Sequence, residues 1–89
     1  MVRLFIRHTV DDFAAWKHVY DGFDDVRRGS GLVGEAIYRG VEDPNDLTIE
    51  HDFDSADDAR SFLETPRLAE IMSAAGVRGE PEIWITRSG

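Results

Sequence analysis

The chain has 89 residues, the length of a single domain, and 42% of them are hydrophobic, as in a globular protein. Its formal net charge of −8 argues against a nucleic-acid or anionic-membrane surface, because both require clustered cations. The absence of cysteine excludes disulfides, thiolate metal ligands and a cysteine nucleophile. The opening segment MVRLFIRHTV is too short and too charged for a signal peptide, and no apolar run approaches the roughly 20 residues of a membrane span. We therefore expect a soluble cytoplasmic protein.

The chain begins with an alternation of period two that predicts a strand over residues 2–9. One face of this strand is apolar except for a histidine and carries Val2, Leu4, Ile6 and His8.

A helix follows, which we expect to be capped by Asp11 and to continue to about Arg28. At 100° per residue, His18 falls on the solvent side. The apolar residues form one stripe: Phe13, Trp16, Val19, Tyr20, Phe23 and Val26. Four of the six are aromatic, which fits either a bulky core or an aromatic wall for a flat ligand. The Gly29-Ser30-Gly31 segment ends the helix.

A hairpin is predicted next, with strands over residues 32–40 and 47–53 joined by a turn at residues 43–46. The second of these strands alternates clearly, and Leu47, Ile49, His51 and Phe53 share one face.

The second half of the chain predicts a helix that begins at Ser55, with Asp58 completing a capping-box-like start. Thr65-Pro66 interrupts this helix, and a second segment continues to Gly76. A last strand is predicted over residues 82–87.

The resulting order, β-α-β-β-α-β, predicts a ferredoxin-like α+β sandwich over residues 1–89, with a four-stranded antiparallel sheet and both helices on one face. Two helices cover only one face of such a sheet. Three strands nevertheless carry apolar residues on both faces, among them Phe5, Trp84 and the second strand's Leu32, Ala36 and Tyr38 opposite Val33 and Ile37. Because a large apolar face is rarely left exposed, we expect a homodimer that packs sheet against sheet. The polar outer residues Thr48, Glu50 and Asp52 of the third strand weaken this expectation.

The segment His51-Asp52-Phe53-Asp54, followed by Ser55-Ala-Asp-Asp-Ala59, resembles the strand-to-helix pattern of the dimeric α+β barrel superfamily, in its antibiotic biosynthesis monooxygenase-like branch. The resemblance extends over nearly the whole chain. It implies a homodimer whose sheets close into a barrel, and a ligand pocket between the helices and the sheet of each subunit.

Members of this superfamily include cofactor-independent monooxygenases that act on polycyclic phenols, polyketide cyclases and haem-degrading enzymes. The haem-degrading members use an Asn in the first strand, a Trp at the end of the third and a helical His. Here Phe53 takes the place of that Trp, and Leu4, Ile6 and His8 line the first strand without an Asn. The resemblance therefore implies a function other than haem degradation.

His51 is the candidate catalytic residue, because a near-neutral imidazole suits a base that takes a proton from a phenol or an activated C–H group. Phe13, Trp16, Tyr20 and Phe53 are the candidate substrate-binding residues. In the structural alternative, His51 is a core residue bonded to Tyr20, Tyr38 or a backbone carbonyl. His8 and His51 lack a spaced third ligand for a metal, so we expect neither a metal nor a cofactor.

Two functions remain open at this level. The first is a cofactor-independent monooxygenase or cyclase-like enzyme for a small aromatic or polyketide-like molecule. The second is a non-catalytic homodimeric protein that binds a small aromatic ligand.

Overall fold

Four strands and four helical segments follow one another in a computed structural model that describes all 89 residues. The strands are β1 (Val2–Val10), β2 (Leu32–Arg39), β3 (Asp46–Phe53) and β4 (Val77–Arg87). The helices are α1 (Phe13–Gly22), α2 (Asp24–Gly29), α3 (Ala56–Leu63) and α4 (Arg67–Ala74). The predicted β-α-β-β-α-β order is confirmed, with the helical part of each crossover divided into two segments.

The strands form one sheet in the order β2-β3-β1-β4, and every neighbouring pair is antiparallel. This is the ferredoxin-like arrangement that the order of elements predicts. The register between β1 and β3 places Leu4 opposite His51 and Ile6 opposite Ile49. The helix-facing residues of the two central strands therefore lie side by side.

The core lies between the sheet and the helices in two clusters. One lies under α3 and contains Val2, Leu4, Ile6, Phe53, Ala59 and Phe62. The other lies under α1 and contains Val10, Trp16, Tyr20, Leu47, Ile49 and Ala75. The predicted helix phase is confirmed, because Trp16 is 3% exposed and His18 is exposed. No helix of the chain combines the length and the apolar character that crossing a bilayer requires.

Two expectations about the first helix are wrong. Its N-cap is Asp12, whose carboxylate accepts a hydrogen bond from the Ala15 N–H at 2.9 Å. Asp11 instead continues the strand pairing through its N–H, which donates to the Gly76 carbonyl at 3.0 Å. The helix also ends at Gly22, because glycine is a poor residue within a helix, and α2 begins at Asp24.

The last strand is longer than predicted, because it begins at Val77 instead of Glu82. The strand includes Gly79 and Pro81, and β4 is an edge strand, where a missing N–H is tolerated. A register shift between Arg7 and Thr9 lets β1 pair with both halves of β4.

The outer face of the sheet mixes apolar and charged residues. Phe5 and Trp84 stack there with ring centroids 5.4 Å apart, and Trp84 is 41% exposed. Arg3 pairs with Asp52 at 2.8 Å in the same layer. A bulge in β2 places Leu32 against the core, so the expectation that it shares a face with Ala36 and Tyr38 is wrong.

Candidate active-site cavity

A cavity lies between the helices and the sheet, and we call it the helix–sheet cavity. Its volume is about 60 Å³, and its mouth opens to solvent. Nearly all of its exposed wall is apolar, as is usual for small-molecule sites. Its lining comes from both sheet and helices: Ile6, His8, Trp16, Tyr20, Phe23, Val26, Arg27, Ile49, His51, Phe62, Thr65, Leu68, Ile71, Met72 and Ala75.

A row of four rings runs along one side of this cavity. Trp16 and Tyr20 are four residues apart on α1, so they lie on the same face and stack with centroids 4.7 Å apart. At one end of the row, His8 meets Trp16 in an edge-on contact at 5.9 Å. At the other end, His51 stacks on Tyr20 at 6.1 Å. The row therefore ends in an imidazole on each side.

His51 is 3% exposed. Its Nε2 lies 3.0 Å from the Tyr20 hydroxyl, whereas its Nδ1 is buried without a partner. Burial, assisted by the positive charge of Arg27, lowers the pKa of His51 to about 4. The imidazole is therefore neutral near pH 7 and has one ring nitrogen left to bind a ligand. This nitrogen is buried, and Phe62 contacts the same ring edge-on at 5.2 Å.

An ion pair between the buried Arg27 and the more exposed Glu35 supports this end of the row. The guanidinium of Arg27 lies 3.7 Å from the centre of the Tyr20 ring and pairs with Glu35. The Tyr20 hydroxyl is 3.1 Å from Oε2 of Glu35. Burial raises the pKa of Tyr20, so its phenol stays protonated. We call Arg27, Glu35, Tyr20 and His51 the polar network.

His8 lies in a different environment. It is 7% exposed, and neither of its ring nitrogens has a hydrogen-bond partner. Burial also lowers its pKa. No group of three or more His, Cys, Asp or Glu side chains is placed to hold a metal ion.

Three of the five predicted site residues meet in the cavity, namely Trp16, Tyr20 and His51. The placement of the other two differs from the expectation. Phe13 does not line the cavity. Its ring stacks on Trp16 with centroids 5.9 Å apart, and the guanidinium carbon of Arg39 lies 3.9 Å from its centre.

Phe53, 0% exposed, packs on Phe62 in the core under α3. It lies two residues beyond His51, which is about 7 Å further along the strand and past the end of the cavity.

Two residues of the network were missed at the level of the sequence, although weak signals for both exist. Arg27 lies seven residues after Tyr20 and four after Phe23, which is the spacing of the apolar stripe. Glu35 lies two residues before Ile37, so both residues share the inner face of β2. Of the partners considered for His51, Tyr20 is the one observed, whereas Tyr38 donates to Glu50 at 3.1 Å.

No protein-family model matches this sequence, and no curated protein matches it. Solved structures match over nearly the whole chain. An antibiotic biosynthesis monooxygenase superposes with a TM-score of 0.75 at 11% identity, covering 100% of this chain and 99% of that one. SnoaB, a cofactor-independent oxygenase from Streptomyces nogalater, superposes with a TM-score of 0.74 at 20% identity, covering 99% and 94%. This chain has the fold of the antibiotic biosynthesis monooxygenases.

A conserved protein from Methanosarcina mazei Go1 also superposes on this chain, with a TM-score of 0.78 at 16% identity over 99% of this chain and 92% of that one. At such identities the likeness concerns the fold alone. Any activity of this protein must therefore be argued from its own cavity.

Proposed function

We propose that this protein is a cofactor-independent monooxygenase or cyclase-like enzyme that binds a small aromatic or polyketide-like molecule in the helix–sheet cavity. One observation carries the proposal. A neutral imidazole with an unpartnered Nδ1, that of His51, lies at the end of an aromatic row in an otherwise apolar cavity. The shared fold with the cofactor-independent oxygenase SnoaB supports it.

Substrate binding would rest on apolar contact and ring stacking. Trp16 and Tyr20 offer stacked rings on one side of the cavity, and α4 contributes aliphatic side chains such as Ile71 and Met72 on its lining. Aromatic contacts of this kind contribute roughly 0.5–1.5 kcal/mol beyond burial of the ring area. A flat ring system can contact both the aromatic and the aliphatic side of the cavity. A flexible polar molecule would instead lose its hydrogen bonds to water and find few polar partners in their place.

His51 would act as the general base. Its Nδ1 would accept the proton of a phenol or of an activated C–H group, and the Nε2 side would remain bonded to Tyr20. Because Nδ1 is covered by its neighbours, substrate binding must first move the imidazole or the Phe62 ring.

The deprotonated substrate could then reduce O₂ without another electron donor. Conversion of an activated CH₂ to C=O by one O₂ yields one H₂O, so the substrate supplies all four electrons. The role of the protein in this step is to exclude water around the carbanion or phenolate, which the apolar wall favours.

A second function, that of a non-catalytic binding protein, is favoured by one specific observation. Burial lowers the pKa of His51 to about 4, which makes its imidazole a weak base while the cavity is empty. An apolar cavity with a weakly basic, covered nitrogen can bind an aromatic ligand without reacting with it.

A homodimer is part of the proposal. Its basis is the outer sheet face, where Trp84 and Tyr38 are exposed. Sedimentation at micromolar concentration should give about twice the chain mass of 10.0 kDa. Trp84→Glu should shift the equilibrium towards the monomer, and a folded wild-type monomer would contradict the dimer.

Binding and oxygen uptake test the function directly. In a Trp84→Phe background, Trp16 is the single indole, and it lies on the cavity lining. Phenols and quinols, one of them with a CH₂ between two rings, are titrated while fluorescence and O₂ consumption are recorded. Uptake that His51→Ala abolishes and the exposed-site control His18→Ala retains supports the enzyme. Binding without uptake supports the binding protein, and the absence of both contradicts the two proposals.

A further inference from the structure

We infer that Glu35, held by Arg27, is a positioning residue that sets the tautomer of His51 through the hydroxyl of Tyr20. The inference rests on the proposed function for its catalytic consequence, but the tautomer itself is a property of the folded protein. Glu35 does not line the cavity and makes no hydrogen bond to His51, so it acts through Tyr20.

The hydroxyl of Tyr20 has one proton and two acceptors within reach. Oε2 of Glu35 lies at 3.1 Å, and Nε2 of His51 lies at 3.0 Å. A hydrogen bond to an ionised carboxylate is roughly twice as strong as one between neutral groups. The Tyr20 proton therefore goes to Glu35, and Nε2 of His51 must carry a proton in order to donate to the Tyr20 oxygen.

The unpartnered nitrogen leads to the same assignment. If Tyr20 donated to Nε2, the ring proton would be on Nδ1, as a buried N–H without an acceptor. Buried donors without a partner are rarer in proteins than under-satisfied acceptors. The Nε2–H tautomer instead leaves a lone pair on Nδ1, which is the form that a general base requires.

Arg27 fixes the geometry that makes this assignment stable. It pairs with the same Oε2 of Glu35 that accepts from Tyr20. Another of its nitrogens donates to the Tyr20 carbonyl at 3.1 Å, and the guanidinium covers the Tyr20 ring. Because β2 places Glu35 directly opposite His51, the whole arrangement is anchored to the sheet as well as to α1 and α2.

The catalytic consequence is a proton transfer that leaves the network in place. The O–H or C–H bond of the substrate breaks, an N–H bond forms at Nδ1, and the electron pair stays on the substrate. Nε2–H continues to donate to the Tyr20 oxygen, and the Tyr20 hydroxyl continues to donate its own proton to Glu35. The imidazolium then forms with its second N–H already partnered, which lowers the cost of charging a buried ring.

The first test is the tautomer of the wild-type protein, read from the ¹⁵N shifts of the imidazole nitrogens at pH 7. We expect a single His51 form with the proton on Nε2. A His51 with the proton on Nδ1, or with both forms in comparable amounts, would overturn the inference whatever the activity.

The second test removes Glu35 and Arg27 together, as Arg27→Met with Glu35→Leu, so that no unpaired charge stays in the core. Tyr20 then has only His51 as an acceptor, and the His51 proton should move to Nδ1. Turnover should fall on the order of 10²-fold with little change in KM, since the base loses its lone pair. The matched control, Arg7→Met with Asp46→Leu, removes another cross-element pair and should leave the tautomer on Nε2.

A double variant that retains the Nε2–H form would contradict the role of Glu35. If that variant does not fold, Tyr20→Phe provides the same test, because it disconnects His51 from Glu35 and should produce a mixture of tautomers. A wild type with the Nε2–H form but without oxygen uptake would leave this inference intact and contradict the proposed enzyme.

Discussion

The two ends of the helix–sheet cavity each present a buried histidine, and the two residues differ in their partners. His51 bonds to Tyr20, whereas His8 has no hydrogen-bond partner at either nitrogen. Their neighbours on α1 explain the difference, because the hydroxyl of Tyr20 reaches His51, whereas His8 meets only the edge-on ring of Trp16. Alternation along a strand buries a histidine, but the residues on neighbouring strands and helices decide whether it is oriented for chemistry.

The largest expected difference between the two ends is in turnover. If the protein is an enzyme, His51→Ala should lower kcat by roughly 10²–10⁴-fold, the usual contribution of a general base. His8→Ala removes only a ring on the cavity wall and should cost less than about tenfold. Steady-state oxygen uptake by both variants measures the two effects. Equal decreases in kcat would contradict a special catalytic role for His51.

The ring that separates the two ends should dominate stability. Trp16 contacts His8 on one side and Tyr20 on the other. Trp16→Ala should cost about 3–5 kcal/mol of unfolding free energy, because it opens a large void in the core. His18→Ala, on the exposed side of the same helix, should stay within about 0.5 kcal/mol. Urea unfolding of both variants compares them, and similar costs would contradict the helix phase.

Acidification should destabilise the protein through the oriented histidine. The pKa of His51 is about 4 in the folded state and about 6.5 in an unfolded chain. Between these two values the unfolded state binds the additional proton, so stability is complete above pH 6.5 and falls as the pH decreases towards 4. This difference in pKa corresponds to about 3 kcal/mol.

When the pH falls from 6.5 to 4, the free energy of unfolding of His51→Leu should therefore decrease by about 3 kcal/mol less than that of wild type. Urea unfolding at several pH values measures the difference. The pKa of His8 is lowered as well, so His8→Leu should flatten the profile in the same direction. A His51→Leu profile parallel to that of wild type would show that the imidazole is not held neutral.

The smallest expected effects compare the partly buried Arg27–Glu35 pair with an exposed one. Glu35→Ala leaves the buried guanidinium of Arg27 without its partner and should cost about 1–3 kcal/mol, since Glu35 itself is partly exposed. Asp21→Ala removes the surface pair with Lys17 and should cost less than about 1 kcal/mol. Thermal unfolding of both variants measures this, and equal decreases in Tm would mean that the polar network adds little to the stability of the fold.

Local patterns were sufficient for the architecture. The alternation in β1 and β3, the stripe through Trp16 and the start of α3 at Ser55 each depend on neighbours a few residues away. From them the order of elements, the antiparallel sheet and the burial of His51 follow, because period two and period 3.6 are properties of the chain itself. Two boundaries differ from the prediction: α1 ends at Gly22, where the local preference of glycine was passed over, and β4 begins before Pro81, which an edge strand tolerates.

The composition of the candidate site was decided by tertiary structure. The convergence of Arg27, Glu35 and Tyr20 on one imidazole depends on strand register and on how α1 and α2 dock against the sheet. Phe53, two residues beyond His51 on β3, lies in the core past the end of the cavity. Hydrogen bonds between residues far apart in sequence form only where the backbone brings their atoms within about 3 Å, and an alternation of residue types along one strand does not specify that distance.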